Sequence, residues 1–322
     1  MKYALRCLLA VFMSFSCLNL CAQNYPNKPV RIIVPFPAGG SVDTLARFFG
    51  QKLSEAWRQP AIVENRAGAG GNIGVEVVAK SSPDGHTILM TIQGLAISAT
   101  LYRRLPFDPI KDLIPVVQLT SSNQALVVPT QFPAKTVKEL IAMARAQPGK
   151  LNYASSGPGA PNHLFGEILK SLAGIDVAHI PYKGDAPQAA ALLAGEVEMS
   201  FMPLSAIVPL VRANKVRALG VITAKRAELM PDIPTLVESG LSEFDFGGWI
   251  GLFVAGGTPG DVVARINSES ARIINLAELR DRLRDAGNDP VGSTQEQFNA
   301  RYLSDITRFG RVIRSANIPL VD

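Results

Sequence analysis

The chain has 322 residues, with 32 Lys and Arg against 27 Asp and Glu, a formal net charge of +5 and 3 cysteines. That balance is mildly basic, the basic residues are scattered, and no basic run is interleaved with aromatics, so composition argues against a nucleic-acid partner. The length exceeds one typical core and predicts two domains, and no segment beyond residue 22 is long and apolar enough to span a membrane.

Lys2 and Arg6 precede an apolar run from Cys7 to Leu20, and the first carboxylate in the chain is Asp43. This pattern predicts a secretory signal peptide over residues 1–22, cleaved after Ala22, and therefore export to the periplasm. Leu20, before Cys21, is too large for lipoprotein processing, so no lipid anchor is expected. Cleavage removes Lys2, Arg6 and all three cysteines. The mature chain then carries 30 basic and 27 acidic residues, a charge of +3, and has no thiol or disulfide.

The first folded unit is Arg31 to Arg47. Ile32, Ile33 and Val34 read as a buried strand, and Pro35, Pro37, Gly39 and Gly40 break it. Ser41 is the expected N-cap of a helix through Leu45, Ala46, Phe49 and Leu53. A strand, a glycine loop and a helix start present backbone N–H groups and a positive dipole end to one spot, which suits an anion. The loop has no Lys-Ser/Thr pair and is not a Walker phosphate loop.

Ala61 to Glu64, then Asn65 to Gly74, forms a second such unit. Ile73 stands where a dinucleotide fingerprint needs its third glycine, so no nucleotide cofactor is expected. His86 to Ile92 is a strand, and Val116 to Val128 holds two strand-like runs. Thr136 with Glu139 is a capping box opening a helix. A third loop, Ser156 to Gly159, links the strand Leu151–Ser155 to a helix, and a fourth, Lys183 to Asp185, follows the strand Ala178–Tyr182. Trp249 to Val254 is a strand, Thr258 and Pro259 are the expected N-cap and first helical residue, and Thr294 with Gln297 is placed in a second capping box. Strands alternating with helices predict an α/β fold with mainly parallel sheets, whose ligands sit at the carboxyl ends of the strands.

Little in the chain suggests catalysis. His86, His163 and His179 lie on separate elements with no His-x-x-x-His spacing, and Ala154-Ser155-Ser156-Gly157 lacks the Gly-x-Ser-x-Gly elbow. No catalytic group, metal or cofactor is expected; a periplasmic hydrolase is the rival class.

Together these residues resemble one family. Pro35-Phe36-Pro37-Ala38-Gly39-Gly40-Ser41-Val42-Asp43, Glu64-Asn65-Arg66 through Gly74 with Pro83-Asp84-Gly85, Tyr153-Ala154-Ser155 with Gly157, Gly159 and His163, Pro181-Tyr182-Lys183-Gly184, and Pro231 to Thr235 are similar to signatures of the tripartite tricarboxylate transporter substrate-binding proteins, or Bug-type receptors. The resemblance implies a type II-like periplasmic binding protein with two α/β domains, a ligand cleft between them and two crossing segments. It implies domain 1 over 23–123 and 247–322, domain 2 over 124–246, and crossings near Ser122–Ala125 and Phe246–Trp249. It also implies a small carboxylate ligand (a di- or tricarboxylate, an acidic amino acid or an aromatic acid) and membrane transporter subunits as partners, with a sensor kinase as the alternative receiver. A monomer is expected.

The candidate ligand contacts are Phe36, Ala38, Gly39, Gly40, Ser41 and Asp43 in the first loop, Gly71 and Asn72 in the second, and Gln93 after the next strand. On the other domain they are Ser155, Ser156, Gly157 and His163, then Tyr182 and Asp185. Asp43 either braces its loop or positions ligand, and Asp185 either caps a helix or disfavours polycarboxylates. Gly247 and Gly248 are the expected hinge. Leu95 to Ala99 and Ala160 depart from the family pattern by losing polar groups.

Overall fold

The computed structural model describes residues 25–157, 160–182, 184–285, 287–315 and 317–321, with the side chain of Asp185 excluded. The predicted signal peptide and its cleavage after Ala22, Cys7, Cys17, Cys21, Gly159 and Lys183 lie outside the described residues.

The first half of the chain runs β1 (Val30–Val34), α1 (Ser41–Trp57), β2 (Ala61–Asn65), α2 (Asn72–Ala79), β3 (Thr87–Ile92), α3 (Gly94–Leu101) and β4 (Leu113–Ser122). Then follow β5 (Gln124–Pro129), α4 (Val137–Ala146), β6 (Asn152–Ser155), α5 (Pro161–Ala173), β7 (Ala178–Pro181), α6 (Asp185–Ala194), β8 (Met199–Pro203), α7 (Leu204–Arg212) and β9 (Val216–Val221). The chain ends with β10 (Gly248–Ala255), α8 (Gly260–Ile274), α9 (Ala277–Asp285), β11 (Asn288–Pro290) and α10 (Gln295–Ser315).

Two sheet-plus-helix domains result. One sheet has the order β11-β4-β10-β3-β1-β2, the other β7-β6-β8-β5-β9. The chain passes from the first sheet to the second between Ser122 and Gln124, and returns between β9 and β10. The sheets are mixed, which corrects the expectation of mainly parallel pairing. β1 pairs in parallel with β2 and β3, and β6 with β7 and β8. Every strand-to-strand pairing of β4, β5, β9, β10 and β11 is antiparallel, apart from an isolated parallel bridge from Val221 to Thr235. The reason is topological: the crossing strands enter their sheets without a crossover helix and so run against their neighbours.

Strand alternation divides the core. Val30, Ile32 and Val34 face Leu45, Ala46, Phe49 and Leu53 of α1. Ile33 faces the opposite side, in a cluster that continues into the second sheet. There Phe246 lies between Phe165 of α5 and Phe309 of α10, with ring centroids 6.3 and 5.5 Å apart. Such rings contribute about 0.5–1.5 kcal/mol per pair beyond area burial, so the domains share a cohesive seam.

Both threonines cap their helices. The Thr294 box is reciprocal, with the Thr294 N–H donating to Gln297 Oε1 at 3.0 Å, whereas Glu139 reaches back to the Lys135 N–H at 2.6 Å. Glu139 N–H donates to Thr136 Oγ1 at 3.2 Å, and Gln297 N–H donates to Thr294 Oγ1 at 3.2 Å. Two other caps differ from expectation. Gly40, not Ser41, is the N-cap of α1, and Pro259 itself is the N-cap of α8. At α1 the Asp43 carboxylate reaches back to the Gly39 N–H at 2.8 Å, so the first turn closes without Ser41. At α8 the Thr258 hydroxyl donates to Ala255 O at 2.7 Å, which removes it from capping duty.

Candidate functional site

The parallel strands set the site. β1, β2 and β3 all end at the edge of the first sheet where the chain crosses over, and β6, β7 and β8 end at the matching edge of the second. The four glycine loops therefore lie at these edges.

In the first loop, Phe36 is half-buried and Ala38, Gly39, Gly40 and Ser41 are exposed. Gly39 has φ +85°, which favours glycine, whereas Gly40 is ordinary extended backbone at φ −77° and ψ 170°. Gly40 has no side chain to cap α1, so the first-turn N–H groups lack a side-chain acceptor at the N-cap.

Asp43 is 3% exposed and braces the loop. It accepts from the Gly39 N–H, from Arg47 Nε at 3.0 Å and from Asn65 Nδ2 at 2.9 Å. The Arg47 hydrogen bond is the main reason its carboxyl is held down at about 2, with the Gly39 and Asn65 bonds helping against the cost of burial. The second loop packs on the first: a Cβ on Gly71 would meet Pro35 and Phe36 at 3.5 to 3.7 Å. Asn72 is buried, and its Nδ2 has no acceptor among the described residues.

The second domain is more self-contained. Ser155 is fully buried and pairs with His179 Nε2 at 2.6 Å, so its hydroxyl faces inward, contrary to the expectation that it offers itself to a ligand. Ser156 donates its N–H and its hydroxyl to Asn162 Oδ1 at 3.2 and 3.1 Å, and the Gly157 N–H donates to Ser155 Oγ at 3.2 Å. His163 is buried and stacks on His179 with centroids 4.0 Å apart, and Tyr153 stacks on the other face. Burial, and then the neighbouring imidazole, lower His179 to about 4, so the stack is neutral at physiological pH. Tyr182 is half-buried and its N–H donates to Ser155 O at 2.9 Å. Asp185 begins α6, whose N-cap is Gly184.

Gln93 does not join the loops. It is buried at the crossing, where its Nε2 donates to Gly247 O at 3.2 Å and to Asp305 Oδ2 at 3.3 Å. The same carboxylate accepts from Trp249 Nε1 at 2.9 Å and Arg301 Nε at 3.0 Å. Gly247 and Gly248 sit here because the crossing strands approach closely: a Cβ on either would fall 2.5 Å from Thr223 or 2.7 Å from Ser122.

Sequence reasoning missed three polar residues. Asn65 ties the first loop to the second strand, with Nδ2 on Phe36 O at 3.1 Å. Asn162 and Gln188 carry the third loop, joined at 2.8 Å and anchored to Phe201 O at 3.0 Å. Gln188 is the lone polar residue inside an Ala/Leu helix, which is the signal that marked it.

No helix among the described residues is long and apolar enough to cross a membrane, and no cluster of three or more metal-ligating side chains occurs among them. The family model for tripartite tricarboxylate transporter family receptors matches residues 45–318. A UPF0065 protein from the tcbD-tcbE intergenic region of Pseudomonas sp. (strain P51) is 37% identical over 290 residues, covering 90% of this chain and 86% of its own. Rpa4515 of Rhodopseudomonas palustris, solved with adipate, is 32% identical at a TM-score of 0.75, covering 92% of this chain and all of its own. MatC of the same organism, solved with malate, is 31% identical at a TM-score of 0.71, covering 90% and 100%. The chain belongs to the tripartite tricarboxylate transporter receptor family, which comprises periplasmic solute-binding receptors and not enzymes.

Proposed function

We propose that this receptor captures a small carboxylate in the cleft between its two sheets and delivers it, as a monomer, to the membrane subunits of a tripartite tricarboxylate-type transporter. The signal peptide over residues 1–22 directs it to the periplasm. Residues 23–123 and 247–322 form one jaw, and 124–246 the other.

One observation carries the reading. The helices that follow the four loops begin at Gly40, Gly71, Ala160 and Gly184, and none of these N-caps makes a side-chain capping bond. Uncapped N–H groups at one edge of each sheet suit an anion, and the adipate and malate of the two neighbours are dicarboxylates. Gly40 and Ser41 supply backbone donors, Asn72 adds an amide, and Asp43 holds the loop rather than touching ligand. Gly157 and Tyr182 face the ligand from the other jaw. Ser156 and His163 support that wall from beneath. Bonds to an ionised acceptor contribute about 1.5–3 kcal/mol each, so two or three suffice for micromolar binding.

Titration calorimetry against a panel of small mono- and dicarboxylates, paired with small-angle scattering, tests the reading. Micromolar binding with compaction on saturation is expected. Absence of heat and of thermal stabilisation with any small acid would sink it.

A further inference from the structure

Between α1 and α9, at the crossing edge of the six-stranded sheet, lies a cavity of about 310 Å³ beside the first loop. Its inner wall is apolar: Leu45, Phe48, Ile250, Leu279 and Leu283. Four of these are buried, and Phe48 is half-buried. Its rim carries the exposed Gly39, Ser41 and Thr44 on one side and Arg282 on the other. The Arg282 guanidinium stands over the Phe48 ring, 5.2 Å from its centroid, and pairs with Glu278 at 2.9 Å. An ion pair this exposed is weak and readily takes another anion.

The cavity and the loop share a mouth. An anion seated on the first turn of α1 sits at the rim, with any attached body directed at the apolar wall. Water against five apolar side chains makes few hydrogen bonds, so an apolar group displaces it favourably. A cavity of about 150 Å³ already admits benzene, so this one has room for a ring with a substituent. Asn288 is the one amide side chain in the lining. A second carboxylate directed past it at the five apolar side chains would give up its hydration without gaining donors there, and would be disfavoured.

We propose that this cavity takes the apolar body of the ligand, and that the ligand is a monocarboxylate carrying a single ring. The carboxylate stays at the α1 N-terminus with Arg282 at the rim, and the ring packs on Phe48 and Leu45. The inference rests on the carboxylate reading above and narrows it.

Calorimetry of the mature protein with phenylacetate, acetate, malate and phenylacetamide tests it. Burying the ring should make phenylacetate about 10–100-fold tighter than acetate. In Thr44→Trp, whose indole occupies the mouth from an exposed helical position, that ratio should fall close to one, with the melting temperature verifying the fold. A wild-type ratio near one, with malate and acetate bound, overturns the cavity proposal and leaves the carboxylate reading standing. Phenylacetamide binding as tightly as phenylacetate overturns the carboxylate reading instead. The wild-type series decides the matter even if the variant does not fold.

Discussion

Six helices follow strands at the edges where the chain crosses between sheets, and three follow strands at the opposite edges. None of the six, α1, α2, α3, α5, α6 and α7, has a side-chain N-cap bond. Two of the three at the far edges, α4 and α10, have complete threonine caps, and α8 begins at a proline. A capping threonine typically stabilises a helix by about 1 kcal/mol, so its absence at six neighbouring starts gives up local stability. The far-edge helix starts at Thr136, Pro259 and Thr294 are exposed to solvent, and two of the three close on themselves. Cleft-edge helices keep donors that a ligand can complete. The proposed binding residues thus lie at helix starts without side-chain caps, on loops held by buried strands.

The comparison breaks most sharply if a cleft helix is made to cap itself. Gly40→Asp places an acceptor at an ordinary backbone angle, and its Cβ meets only Pro37 O at 3.7 Å. Carboxylate affinity should fall at least about 100-fold in calorimetry, because the new side chain competes for the same N–H groups, while stability changes by only a few tenths of a kcal/mol. Retained affinity would place the anion elsewhere.

The brace comes next. Asp43 falls from its ordinary 3.8 to about 2 in the folded protein. A depressed folded value adds stability that is present above the unfolded value and lost as pH falls through the folded one. Acid melting should therefore show a loss between about pH 4 and pH 2 that is shallower in Asp43→Asn. Identical acid limbs would remove Asp43 from its bracing role.

A smaller change is expected at the far edge. Thr294→Ala and Thr136→Ala should each cost about 1 kcal/mol in denaturant unfolding and leave ligand affinity within twofold. A large affinity loss would mean that capping and binding are not spatially divided. The smallest effect is that of salt. If dipoles and amides carry the anion, as proposed, raising ionic strength from about 0.05 to 0.5 M should weaken binding by only a few-fold. A steeper dependence would shift the weight to Arg282 at the cavity rim.

Much of this was legible locally. Ile32 to Val34, the glycine loops and both threonine boxes announce themselves through short-range preference. What misled the reading was competition between nearby groups. Ser41 is a good N-cap by type, yet the Asp43 carboxylate took the Gly39 N–H and moved the cap to Gly40. Ser155 looks like an offered hydroxyl, yet β7 pairs beside β6 and brings His179 onto it. Arg301 and Asp305 drew no reading at all, because an i,i+4 pair carries no local sign that Trp249 and Gln93 bury its carboxylate completely.

The sequence by itself determined the element types, the glycine loops and the family, because propensities, turn chemistry and motif spacing act over a few residues. Only the tertiary structure decided which way the crossing strands run, which polar groups face inward and that a cavity opens beside the first loop. Those outcomes depend on partners brought together from as far apart as Gln93 and Asp305, whose proximity no local pattern encodes.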